Sequence, residues 1–222
     1  SIEAIMAITM ILALSVMSMF VNAPLLDMAN PDQTPNPAKA PWYFLGLQEL
    51  LLHMDPALAG VIVPAACLVL LAMIPYIDRD RRGTGIWFST KKGVPITIFS
   101  AIYTAVVEIG LVIFDEYFRT PNMTEGSHGI GPFITETLMG FGFARDSDAW
   151  IGSVFVPIVL MIAIPWIMVL VVKRRWKADT REVMISLYTF YFTSFIVLSA
   201  IGTFFRGESM HLVWPWQLQP PH

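Results

Sequence analysis

Charge is what this 222-residue chain has least of: 14% of its residues are charged, against 55% hydrophobic. A soluble domain of this size carries roughly a quarter charged residues, so an ordinary water-soluble globule is excluded. The deficit runs along the whole chain, which favours one membrane domain over a soluble domain with an anchor. Cysteine is nearly absent as well. Cys67 stands alone, which rules out an internal disulfide, a Cys-x-x-Cys-His haem attachment and any cysteine-based metal cluster. A net charge of only −3 argues against a nucleic-acid partner. No basic region precedes the first apolar run, where Glu3 stands, so no cleaved signal peptide is expected. No internal repeat or low-complexity segment is evident.

What the chain has is long apolar runs. A helix needs about 20 apolar residues to cross a bilayer core. Residues 4–26, 56–77, 150–172 and 183–205 are such runs without a charge, and 94–114 is a fifth that carries only Glu108. The expected fold class is therefore all-α, a polytopic transmembrane helix bundle of about five spans. Pro64, Pro75, Pro157 and Pro165 fall inside these runs, where neighbouring helices can satisfy the backbone groups they free.

The connections set an orientation. Segments 78–93 and 173–182 hold ten cations: Arg79, Arg81, Arg82, Lys91, Lys92, Lys173, Arg174, Arg175, Lys177 and Arg181. The loops of opposite parity and the tail hold Lys39, Arg119, Arg145 and Arg206. Basic loops stay on the cytoplasmic side. The expectation is an integral membrane protein with its N-terminus and both basic loops facing the cytoplasm, or its equivalent, and its C-terminus outside. Trp150, Trp214 and Trp216 then fall at the outer interface, as an aromatic belt does.

The first outer loop is turn-rich over Asn30-Pro31-Asp32-Gln33-Thr34-Pro35-Asn36-Pro37. Beyond it, Pro41 suits the first turn of a helix and Pro56 would end one. The intervening piece is too short to span and is expected to lie at the membrane surface as an interfacial helix. Trp42, Gly46, Glu49 and His53 follow i, i+4, i+7, i+11 spacing, which puts an aromatic, a small residue and two proton-active groups on one face.

Thr34-Pro35 followed by Lys39-Ala40-Pro41-Trp42-Tyr43-Phe44-Leu45 resembles the start of the outer-side surface helix in cytochrome b of quinol-oxidising bc complexes. The resemblance is to the C-terminal half of cytochrome b, which is a separate chain, subunit IV, in b6f-type complexes. Its signature there is Pro-Glu-Trp-Tyr followed by Phe-Leu. The order of elements agrees through residues 1–117: a span, a proline-rich loop, the signature, a surface helix, a span ending near Ile74-Pro75, a basic loop and a further span. Residues 118–222 add a loop, two spans and a tail. Phe204-Phe205-Arg206-Gly207 with Trp214-Pro215-Trp216 resembles the ending of bacterial variants with extra spans.

The resemblance implies a haem-free subunit of a split cytochrome b that helps form an outer quinol-oxidation site, with Pro41, Trp42, Tyr43 and Phe44 lining the quinol pocket. The implied partners are a b-haem cytochrome b subunit and a Rieske iron–sulfur protein, with a c-type cytochrome as a further candidate, in a dimeric complex among lipids. The b haems and the 2Fe-2S cluster would belong to those partners. His53, His128, His211 and His222 all lie outside the apolar spans, whereas a bis-histidine haem needs imidazoles projecting into a bundle. Neither a haem nor a metal ligand is therefore expected in this chain.

One departure matters. Pro41 stands where the family has a glutamate regarded as a proton acceptor from bound quinol. Glu49, two turns on, is the expected replacement, and His53 could pass the proton outward. The plainer readings stay open beside it. Trp42 and Tyr43 could be interfacial anchors, Glu49 and His53 the solvated face of an amphipathic helix, Cys67 a packing residue. Glu108, a carboxyl within a span, could handle protons or serve structure. Arg206 could meet an acidic loop or a lipid headgroup. Two other functions compete: a non-redox anchor that docks an electron-transfer subunit, and a transporter component, against which the lack of a repeat counts.

Overall fold

The computed structural model describes residues 1–21, 28, 32, 38–78, 88, 90–117, 130–141 and 150–217. Helix α1 spans Ile2–Phe20, and a 3-10 turn at Trp42–Phe44 runs into α2, Leu45–His53. A π-helical turn at Leu58–Ile62 opens α3, Val63–Ile77, and α4 follows at Gly93–Tyr117. Helix α5 covers Ile130–Gly140, a second π-helical turn at Ile151–Phe155 opens α6, Val156–Trp176, and α7 is Thr180–Phe204. Five of these helical stretches are long and apolar enough to cross a membrane, as expected, with α2 as the short helix after the first loop. Among the described residues there is no strand, only an isolated bridge between Arg206 and Leu212. The chain divides into two compact units, one holding α1 and the other spanning 36–218. Helix α1 is apolar beyond Glu3 in its first turn and has no buried residue. The expected span end at 22–26, most of the proline-rich loop at 30–37, and Arg79, Arg81, Arg82, Arg119, Arg145, His128 and His222 lie outside the described residues.

Proline chemistry explains the two π-helical turns. Pro64 and Pro157 each lack an N–H, and each ring crowds the carbonyl four residues back. The chain widens the turn just before each Val-Pro pair. The Ser153 carbonyl, which an α-helix would offer to residue 157, instead accepts the backbone N–H of Asp55 at 3.0 Å. That bond ties the end of α2 to the start of α6. Asp55 in turn caps the next span, its Oδ1 accepting the Ala57 and Leu58 N–H groups at 2.9 and 3.4 Å.

Helices α4 and α7 pack in parallel. Ser100 meets Ser186 at 2.8 Å and Ser194 donates to Glu108, and both pairs are 86 residues apart. A constant offset means the two chains run the same way, and α6 supplies the antiparallel crossing between them. Apolar driving force is weak between helices in lipid, so small and hydroxyl side chains set such seams. The face of α4 carrying Ser100, Thr104 and Glu108 turns inward, while Ile98, Ile102, Val106, Ile109 and Ile113 form an exposed apolar stripe. At the basic-loop end the seam closes on a core of Ile96, Met168, Val172 and Phe190. There Asp179 and Glu182 form a capping box, and Arg181 pairs with Asp78 at 3.1 Å.

The short helix α2 lies against α7 at glycine contacts. A Cβ on Gly46 would come within 2.9 Å of Ser199 Oγ, and one on Gly202 within 3.3 Å of the Leu45 carbonyl oxygen. Residues on either side of position 117 therefore pack together.

The structure adds a likeness of element order that the residues themselves do not carry. A short helix, a π-helical turn, a Val-Pro span and a return span occur twice: α2, α3 and α4, then α5, α6 and α7, with α4 and α7 both 25 residues long. The repetition lies in element order and in the places of Pro64 and Pro157, with few residues in common, which is why residue matching missed it. Helix α5 sits in a loop for which no helix was expected.

The glycine contacts predict a substitution effect. Gly202→Leu must push α2 off α7 and should cost about 1–3 kcal/mol, as overpacking does. Gly110→Leu is the control, because a Cβ there meets nothing within 4 Å. Thermal unfolding in detergent should show a lower midpoint for the first variant and little change for the second.

Candidate functional site

The stripe read from the sequence survives in three of its four members. Gly46, Glu49 and His53 share the inward face of α2, with Gly46 buried and Glu49 fully so. Trp42 falls in the preceding 3-10 turn, which changes the angular spacing, and it is 71% exposed. The segment before the helix is pinned by its own polar groups. The Ala40 N–H donates to Gln48 Oε1 at 2.7 Å, Gln48 Nε2 donates to the Ala38 carbonyl at 2.8 Å, and Lys39 Nζ donates to the Thr203 carbonyl at 3.1 Å.

The partner of Glu49 is Arg206, from the end of α7. Its Nε donates to both carboxylate oxygens at 3.1 and 3.0 Å, and Nη2 donates to Oε1 at 2.5 Å. Nη1 donates to Glu116 at 2.8 Å and to the Met210 carbonyl at 2.9 Å. Arg206 is 1% exposed. Only a planar, five-donor guanidinium can serve two carboxylates and a carbonyl in this way. Burial alone would raise the Glu49 pKa, but hydrogen bonds from His53 and Arg206 and the Arg206 charge outweigh it and hold the carboxyl below its usual value. Burial would weaken His53 as a base, yet hydrogen bonds to Asp115 and Glu49 and their charges raise it to about 9. The imidazole lies 2.5 Å from Asp115 through Nδ1 and 3.4 Å from Glu49 through Nε2. At neutral pH His53 is thus an imidazolium between two carboxylates.

Behind this cluster, between α2, α3, α4, α6 and α7, is an apolar cavity of about 390 Å³. His53, Asp115, Glu108, Ser194 and Tyr191 are polar residues of its wall, and Tyr43 stands at the α2 side. The expected pocket residues separate here. Tyr43 lines the cavity, while Pro41, Trp42 and Phe44 are exposed outside it, Trp42 edge-on to Tyr43 at 5.6 Å and Phe44 tilted to it at 4.9 Å. Glu49 is not in the wall; it lies between His53 and Arg206. Cys67 is in the wall. Among the described residues no group of three or more His, Cys, Asp or Glu could hold a metal ion.

Sequence reasoning missed Asp115, Glu116 and Ser194. The acidic pair closing the third span was a usable signal, because two carboxylates at a helix end call for a cation nearby. The choice left open for Arg206 is resolved in favour of an acidic partner within the chain.

Two consequences can be measured. Arg206→Gln leaves Glu49 and Glu116 without their cation and should cost about 3–5 kcal/mol, as breaking a buried pair does. Adding Glu49→Gln should recover part of that loss in thermal unfolding. The raised pKa of His53 contributes stability that is complete below about 6.5 and is lost as pH rises through about 9. The unfolding midpoint should therefore fall across that window, and His53→Gln should flatten the alkaline fall.

Residues 28–118 match the family described as Cytochrome b(C-terminal)/b6/petD, in keeping with a subunit IV-like C-terminal half of cytochrome b. No curated protein and no solved structure matches the chain. The matched segment carries α2, α3 and α4 and ends before α5. Together with five apolar helices it makes the chain an integral membrane protein and supports a subunit of a bc-type redox complex involved in quinol oxidation.

Proposed function

We propose that this chain is the haem-free subunit of a split cytochrome b and that the cavity behind α2 is its quinol-oxidation site, on the outer side of a bacterial inner membrane. The observation that carries this reading is the cavity itself. It is apolar and large enough for a quinone head. It is walled by Tyr43 of the signature and by the His53–Asp115 pair, within the segment that matches the family.

In this reading Asp115 is the wall carboxylate that takes the proton of a quinol hydroxyl, and the His53 imidazolium stabilises the quinolate left behind. Glu49, expected from the sequence as the acceptor, is a positioning residue: its charge is already matched by Arg206, and it holds His53 from behind. Pro41 at the family's glutamate position is then consistent, because the proton leaves through α2 and α4. Trp42 and Phe44, exposed in this chain alone, are positioned to meet a partner subunit. The electrons pass to a b-haem subunit and a Rieske protein, in a dimeric quinol:cytochrome c-type oxidoreductase. N-terminus inside and C-terminus outside follow from the ten basic-loop cations.

The test is turnover of the membrane complex with quinol. Asp115→Asn should lower kcat about a hundredfold with little change in KM, the loss of a general base. The complex pulled down through this chain should contain a b-type cytochrome and a Rieske protein. A purified complex without any haem protein, or full turnover in Asp115→Asn, would favour the docking-anchor reading instead.

A further inference from the structure

Glu108 is the feature that the reading above leaves unused. It lies on the cavity wall in the middle of α4, where a carboxyl is costly and is kept only with a partner or a function. Ser194 donates to one of its oxygens, Oε1. The other, Oε2, is buried with no hydrogen-bond partner among the described residues. Buried polar atoms are nearly always paired, so an unpaired carboxyl oxygen on a side chain that lines an apolar cavity is an acceptor that a donor on a ligand would satisfy.

Spacing indicates which kind of ligand. Glu108 and Asp115 are seven residues apart on one helix, two turns, or about 10.5 Å at 1.5 Å per residue. Both side chains reach the same cavity, one at its outer end beside His53 and one deeper. A ligand that satisfies both needs a hydrogen-bonding group at each end of a flat apolar body. A para-diol on a six-membered ring has that form, and a hydrogen bond of about 2.7 Å at each end lengthens its reach accordingly. Ser194 supplies a fixed donor on the opposite helix, so Glu108 presents an acceptor of fixed direction.

We infer that Glu108, oriented by Ser194, is a second anchor of the cavity and accepts a hydrogen bond from the quinol hydroxyl farther from His53. The inference rests on the cavity being the quinol site and adds a preference to it. An acceptor at that end holds the hydroxyl of a quinol and gains nothing from the carbonyl of the oxidised quinone. The deep end therefore favours the substrate over its product and helps the product leave. Ser194 lies beyond the segment that matches the family, so this anchor depends on the added α7.

The experiment is equilibrium binding of duroquinol and of duroquinone to the full complex in lipid nanodiscs, without oxygen. Glu108→Gln should weaken duroquinol roughly tenfold, the loss of one hydrogen bond to the carboxyl, and change duroquinone less than twofold. Ser194→Ala should shift duroquinol in the same direction by a smaller factor. An infrared difference spectrum should show the Glu108 carboxyl band move when duroquinol binds, and that band should vanish in Glu108→Gln. If Glu108→Gln binds duroquinol as tightly as the unaltered complex, or loses both compounds equally, the anchor is refuted while the quinol cavity stands. If the unaltered complex binds neither compound, the cavity reading and the anchor fall together.

Discussion

The arrangement depends on one buried guanidinium. Arg206 reaches from the end of α7 between Glu49 of α2 and Glu116 of α4, and it is almost completely shielded from solvent. Two buried carboxylates side by side would otherwise protonate or drive their helices apart. With Arg206 between them they become a clamp. The clamp sets the roll of α2, the roll places His53 against Asp115, and that pair forms the polar end of the cavity. A buried ion pair is poor evidence of added stability, since an apolar replacement is often as stable. Its value here is specificity of placement: one helix and one register, with one face turned inward.

The clamp also gives the last two spans a purpose. The family match ends at residue 118, yet Arg206, Ser194 and the glycine seat at Gly202 all come from α7. Helix α7 runs parallel to α4 and joins it through Ser100–Ser186, Ser194–Glu108 and Arg206–Glu116, a ladder of polar rungs rising from the basic-loop end. Helix α6 makes that parallel course possible and ties its π-helical turn to Asp55. What looks in sequence like an appendix to a subunit IV-like segment forms part of the wall of its cavity.

Much of this was legible before any coordinates. Apolar runs and basic loops marked all five spans, because a bilayer imposes length and charge rules that composition cannot hide. The 3.6-residue period put Gly46, Glu49 and His53 on one face. It failed at Trp42, where Pro41 leads into a 3-10 turn and the register shifts. Other features were out of reach for a physical reason. The pairing of Glu49 with Arg206 joins residues 157 apart, and no local pattern records such a contact. The repeated helix–π-turn–span unit is likewise carried by two Val-Pro pairs, too sparse to register as similarity. The lack of a residue-level repeat still counts against a transporter, and the family match favours a bc-type subunit.

The central claim is that ligand sits behind α2, between α4 and α7. A photoreactive azidoquinone cross-linked in the intact complex and mapped by peptide sequencing tests it most directly. The account predicts label at residues 43–54, on α2 and the turn before it, and also on α7 at 190–198, in competition with added quinol. Label confined to other subunits, or label on this chain that excess quinol does not displace, would contradict it.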